Sequence, residues 1–141
     1  MAVISDRLLA IVDALPLESG MRILEIGCGP GVMAREMAKR VGEGKVVAID
    51  RSAKAIAQAE AGSASQIAAG VLEFRQSAAE EFMLERDEAP FDLAIAVRVG
   101  ALDGRHPEAG IKARAAIGKA LRAGGKLYID SGNSVREIGL D

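Results

Sequence analysis

The chain is poor in the residues that stack on bases, bind metals or form cross-links. It has no tryptophan, and its aromatics are Phe74, Phe82, Phe91 and Tyr128. That excludes an aromatic surface for stacking nucleobases. Cys28 is the only cysteine, so no intramolecular disulfide forms and a reducing cytoplasm is the expected compartment. One cysteine and one histidine do not make a metal centre. No charge of one sign dominates. The 18 basic and 20 acidic side chains leave a net charge of −2, mixed along the chain, and no clear nucleic-acid surface is expected. Asp6, Arg7 and Asp13 interrupt the apolar pattern of the N-terminus, which is therefore neither a signal peptide nor a membrane span.

What remains is ample apolar material. Half of the 141 residues are hydrophobic, enough for one real core, and the length suits a single domain, 1–141. Val3, Ile4, Leu8, Leu9, Ile11, Val12 and Leu15 recur at helical spacing, with Ser5 or Asp6 as cap and Pro16 as stop. An apolar run from Met21 to Ile26 predicts a first strand. It is followed by Gly27, Gly29 and Gly31, and then by a helix pattern that reaches Val41. A strand that ends in glycines before a helix brings backbone N–H groups up to a ligand and leaves no side chain in the way. Pro30 suits the first helical turn.

The spacing of these glycines narrows the ligand. A dinucleotide fingerprint would put its third glycine at Val32, whereas this chain has it at Gly31. Glu25 stands two residues before the first glycine, where its carboxylate opposes a phosphate and suits the amino group of a zwitterion. The stretch Glu25-Ile26-Gly27-Cys28-Gly29-Pro30-Gly31 resembles the first motif of the class I S-adenosylmethionine-dependent methyltransferases, E/D-x-G-x-G-x-G, at every defined position. The resemblance implies S-adenosylmethionine as cofactor, with Glu25 on its amino group and the loop of Gly27, Cys28, Gly29 and Gly31 around its amino acid end. Cys28 reads as a small residue between glycines rather than a catalytic thiol.

The remaining elements alternate. A second strand, Lys45 to Asp50, is continuously apolar until Asp50, as a strand buried on both faces should be. An acid there can accept from both ribose hydroxyls, and the family keeps its ribose-binding acid at this position. Arg51 follows, either as a plane against the adenine or as a solvated arginine. Ser52 caps a helix over Ala53 to Ala61. After a third strand, Val71 to Arg75, the segment Gln76 to Glu80 lines up with the family's adenine loop. Ala78 stands where many members have Asp, which leaves the adenine amino group to Glu80 and a ring nitrogen to the amide near Ala79. Phe82 to Leu84 are read as a short helix. Phe91 to Val97 form a fourth strand, with Asp92 structural at its far end.

From Val97 and Arg98 the chain leaves the carboxyl end of that strand, where open α/β sheets bind ligands. The loop to Pro107 carries His106, the only side chain that titrates near neutrality without help. His106 is either a general base or a helix-capping histidine. The family's Asn/Asp-Pro-Pro-aromatic motif is absent here, which argues for a small-molecule acceptor rather than DNA adenine or a glutamine side chain. A helix over Glu108 to Ala123 and a fifth strand, Lys126 to Asp130, complete the pattern.

The fold expected is α/β: a Rossmann-like, doubly wound parallel sheet of five strands in the order 3-2-1-4-5. It would lack the C-terminal antiparallel hairpin that the family usually adds. Strand five would then be an exposed edge, covered by the tail, by a second copy or by a partner, and a homodimer through that edge is the expectation. The activity expected is methyl transfer to a small molecule. The alternative is a non-catalytic S-adenosylmethionine-binding or partner subunit.

Overall fold

The computed structural model describes residues 3–141. Helix α1 (Asp6–Ala14) opens under the Ser5 hydroxyl, which accepts from the Leu8 N–H. Then follow β1 (Arg22–Ile26), α2 (Val32–Arg40), β2 (Lys45–Asp50), α3 (Ala53–Ala61), α4 (Ala64–Ala68) and β3 (Leu72–Gln76). A 3-10 turn (Ala79–Glu81), β4 (Phe91–Ala96), α5 (Pro107–Ala120), β5 (Leu121–Ser131) and β6 (Ser134–Ile138) finish the chain.

The sheet has six strands in the order β3-β2-β1-β4-β5-β6. All neighbours are parallel except β5 and β6. Strands β1, β2 and β4 carry near-continuous apolar runs because helices cover both faces. On one face Ile23, Val46, Ala48, Leu93 and Ile95 join Ile11 and Val12 of α1, Met33 and Met37 of α2 and Ile56 of α3. On the other, Leu24, Val47, Ile49, Ala94 and Leu127 meet Phe82, Phe91 and Ile117 of α5.

The five-strand expectation, with its missing hairpin, is corrected by β6. The tail turns back after β5 through Gly132 and Asn133 and pairs antiparallel, with Ser131 opposite Ser134 and Leu127 opposite Ile138. Gly132 has φ +59, as the first central residue of a two-residue type II′ hairpin requires. Ile138 and Leu140 extend the apolar cluster on the α5 side. The edge of β5 is therefore filled by the chain's own tail, and the premise of a dimer across a bare β5 falls with it. A second correction is local. Phe82 to Leu84 are not helical, because the turn lies earlier, at Ala79–Glu81, and Phe82 is extended with its ring buried 6.2 Å from that of Phe91. Among the described residues no helix is long and apolar enough to cross a membrane.

Two measurements check this layout. Amide hydrogen exchange should show protection across Ser134–Ile138; fast exchange throughout that segment would remove β6. Phe91 is fully buried, and Phe91→Ala should lower the unfolding free energy by about 3–5 kcal/mol in denaturant titration.

Candidate functional site

The carboxyl ends of β1 to β4 open into a cleft of about 940 Å³. Four segments wall it: Ile26 and Gly27 after β1, Asp50 and Arg51 after β2, 77–80 after β3, and Arg98 to Ala101 with Arg105 to Ala109 after β4. Of the residues singled out by sequence, Gly27, Asp50, Arg51, Ala78, Ala79, Glu80, Arg98 and His106 line it. Glu25, Cys28, Gly29, Gly31 and Val97 do not. Ser77 lines it within the expected Gln76–Glu80 segment, and Val99, Gly100, Ala101 and Arg105 line it within the expected loop after β4; Ile26 and the first turn of α5 line it without having been singled out.

The glycine turn differs from its expected use. Its N–H groups are already spent within the chain. Those of Gly27 and Cys28 donate to the Ile49 carbonyl, at 2.8 and 2.9 Å, and that of Gly31 to the Cys28 carbonyl at 3.1 Å. The Gly29 N–H donates to Asp50 Oδ2 at 2.9 Å. All three glycines have positive φ, so the turn bends where residues with side chains would be strained. A Cβ on Gly31 would meet Phe74 Cζ at 2.9 Å and Ala59 Cβ at 3.1 Å, so Gly31 serves close packing of α2 on β3 and α3. A Cβ on Gly27 would meet Val99 Cγ2 at 2.8 Å, so the loop after β4 lies against the turn.

Asp50 holds this geometry with both oxygens. Oδ1 accepts from the Ser52 N–H, also at 2.9 Å, while Oδ2 takes Gly29. Each carboxylate oxygen keeps acceptor capacity for a hydroxyl arriving from the cleft. Glu25 is different in kind. It is only 3 % exposed, one residue behind the cleft floor, and its Oε1 is buried without a hydrogen-bond partner. Burial, and secondarily the charge of Asp50, push its carboxyl up to about 8. The Cys28 thiol is pushed up too, by burial first and then by Glu25 and Asp50, which leaves little thiolate for nucleophilic work.

The loop after β4 is pinned from two sides. Arg98 is a non-glycine residue with φ +57, held there by its N–H donating to Asp130 Oδ1 at 3.0 Å. Asp130 Oδ2 takes Arg7 of α1 at 2.9 Å. Arg105 pairs with Asp103 and donates to the Arg98 carbonyl, folding the loop upon itself. Val97 turns away and packs in the cluster shared with α1. His106 is the exposed N-cap residue of α5, without a side-chain capping bond, and its ring lies against Gly100. Among the described residues no group of three or more His, Cys, Asp or Glu side chains is placed to hold a metal.

A parallel sheet with an acid behind a glycine turn, a second acid closing β2 and a cleft over both is an open α/β sheet with its cleft at the strand ends, where such sheets bind ligands. The methyltransferase-domain family matches residues 17–138, and the chain belongs to that family. Solved structures agree. Phosphoethanolamine N-methyltransferase 2 of Haemonchus contortus, in complex with phosphomonomethylethanolamine and S-adenosylhomocysteine, is 28 % identical with a TM-score of 0.71, over 88 % of this chain and 27 % of its own. A methyltransferase of Thiobacillus denitrificans in complex with S-adenosylhomocysteine is 25 % identical with a TM-score of 0.67, over 90 % and 48 %. The [4+2]-cyclase SpnF is 25 % identical with a TM-score of 0.70, over 88 % and 43 %. The chain thus spans less than half the length of these solved relatives. No curated protein matches it.

The buried acid has a consequence for stability. Unfolded, Glu25 ionises near 4.5; folded, it keeps its proton to about 8. Between those values the folded state binds more protons, so stability falls as pH rises, by on the order of a few kcal/mol in total. Glu73, lowered to about 2 chiefly by its hydrogen bond from Arg75, opposes this trend only at the acid end of the window, where the unfolded chain still binds its proton. Calorimetry of the ligand-free protein should show Tm falling from pH 5 to pH 8, and Glu25→Gln should flatten that fall.

Proposed function

We propose that the chain binds S-adenosylmethionine in the cleft and transfers its methyl group to a small-molecule acceptor. The observation that carries this is the cleft itself, which opens over the glycine turn between Asp50 and the β4 loop in a chain of the methyltransferase-domain family. The donor set fits the cofactor. The orphaned Oε1 of Glu25 is a buried acceptor that lacks a cation. Asp50, fixed by two backbone N–H groups, faces the cleft with acceptor capacity for two ribose hydroxyls. Arg51 and the segment Ala78 to Glu80 stand beside it, where the adenine would lie.

When bound, S-adenosylmethionine supplies a methyl group already activated by its sulfonium, so the protein's task is alignment. Gly27 leaves room at the floor. Arg98, Val99 and His106 form the wall that an acceptor would meet. His106 lines the cleft and would take a proton from an acceptor that still holds one.

A second reading is cofactor binding without methyl transfer. Ala78, where many members of the family have Asp, favours it, and the [4+2]-cyclase SpnF is a neighbour on this fold named for another reaction. A missing hairpin would also favour it, but β6 pairs with β5.

Thermal shift should show stabilisation by S-adenosylmethionine and S-adenosylhomocysteine and none by NAD. Asp50→Ala should weaken S-adenosylhomocysteine by about 1.5–3 kcal/mol in calorimetric titration, the range for hydrogen bonds to a charged group. Unchanged affinity would refute the ribose assignment. Release of S-adenosylhomocysteine with a panel of small nucleophiles separates transfer from binding alone.

A further inference from the structure

Charge is unevenly spread around the cleft. At the ends of β2 and β3 its titratable side chains are Asp50, Arg51 and Glu80, two acids and one base. Along the loop after β4 and the start of α5 they are Arg98, Arg105, His106 and Glu108, two arginines and a histidine against one acid. The acids beside this wall do not cancel the excess. Asp130 spends one oxygen on the Arg98 backbone N–H and the other on Arg7 of α1. Asp103 holds Arg105 with both oxygens. Among the described residues Arg98 is bonded only through its backbone, its N–H to Asp130 and its carbonyl to Arg105, so its guanidinium stands at the cleft without a carboxylate. The wall that carries it is tied down. Leu102 is buried beneath it, the Leu102 and Asp103 N–H groups donate to the Val99 carbonyl, and the His106 N–H donates to the Gly100 carbonyl at 3.0 Å. Gly100 admits the closure, since a Cβ there would lie 2.5 Å from the His106 ring and 3.6 Å from Arg105 Cζ.

We propose that the methyl acceptor carries an anionic group, a carboxylate or a phosphate, which the Arg98 guanidinium binds at the β4 wall of the cleft, so that the chain selects anionic acceptors over neutral ones of the same shape. The proposal rests on the reading of the cleft as a methyl-transfer site. A guanidinium is a rigid fork of donors that matches paired anionic oxygens, and a lysine in its place would keep the charge but lose the fork. The chain supplies those oxygens to Arg105 and withholds them from Arg98, which leaves one fork for a ligand. Asp50 and Glu80 repel the same anionic group from the β2 and β3 side. Attraction at one wall and repulsion at the other orient the acceptor, with its anion toward β4. Arg98 holds the acceptor and takes no part in the transfer itself.

The test is calorimetric titration of the intact protein, saturated with S-adenosylhomocysteine, using benzoate, phenyl phosphate and benzamide as probes of one shape. Benzoate or phenyl phosphate should bind about tenfold or more tighter than benzamide, as a hydrogen bond to a charged group allows, and the better of the two anions identifies the group. Arg98→Gln should bring all three within about twofold of one another, and Arg98→Lys should restore part of the preference. Arg136→Gln removes a charge from β6, outside the cleft, and should leave the preference intact. Should the Gln variant at Arg98 fail to fold, the comparison of probes on the unmodified chain still decides. Equal affinity for the neutral and anionic probes overturns the proposal, as does binding of none of them at millimolar concentration. Anions that bind only in the absence of S-adenosylhomocysteine would give Arg98 to that ligand's own carboxylate and overturn it too. Failure of S-adenosylhomocysteine itself to bind is a separate result, which overturns the functional reading.

Discussion

Asp50 tying the glycine turn to the end of β2 is the interaction on which the site depends. Its carboxylate takes the Gly29 N–H on one oxygen and the Ser52 N–H on the other. One bond shapes the turn after β1 and the other starts the chain toward α3, so a single side chain sets two walls of the cleft. With Gly27, Cys28 and Gly31 also bonded internally, the turn presents backbone without free donors. Its glycines make room, and the polar groups left to face the cleft there belong to side chains such as Asp50 and Arg51. That division differs from a phosphate-binding loop, in which unspent N–H groups grip the anion.

The cost of this arrangement falls on Glu25. Two acids on neighbouring strands, one of them nearly sealed from water, disfavour each other's charge. An apolar residue at Glu25 would relieve that conflict, as Ile26 beside it shows by packing without penalty in the core. The strain is thus local to the glycine turn, in a sheet that is otherwise consistent from pattern to packing. Departures of this kind gather where a fold does chemistry.

Much of this was legible in the sequence. The continuous apolar runs of β1, β2 and β4 announce strands buried on both faces, and the alternation of strand and helix gives the order of the parallel part. Gly27 and Asp50 could be placed at the cleft because the ends of parallel strands are where such sheets bind ligands. Three things were not legible. The partners of the turn's N–H groups depend on the depth at which β2 passes β1, which no residue pattern states. Val99 over Gly27 depends on how the β4 loop folds, and Arg98, a non-glycine residue in a left-handed conformation, gives no sign of it in the sequence. β6 was readable in principle, since Gly132-Asn133 is a hairpin dipeptide. Its strand, Ser-Val-Arg-Glu-Ile, puts one apolar residue on each face instead of alternating, and so reads as a polar tail.

Strand β6 bears on the β4-loop side of the cleft. β6 pairs along β5 up to its last residues, with Val135 opposite Asp130. Asp130 is the residue that holds Arg98 in its left-handed conformation and ties it to α1 through Arg7. An unpaired β5 end would fray, and the carboxylate that fixes the start of the β4 loop would move with it. Val99 follows Arg98 directly and lies on Gly27, so the fit of loop against turn is transmitted from the far edge of the sheet through one carboxylate. The tail thus reaches no part of the cleft, yet it pairs along the end of β5 that carries Asp130, the partner of Arg98 at the start of the cleft's β4 wall.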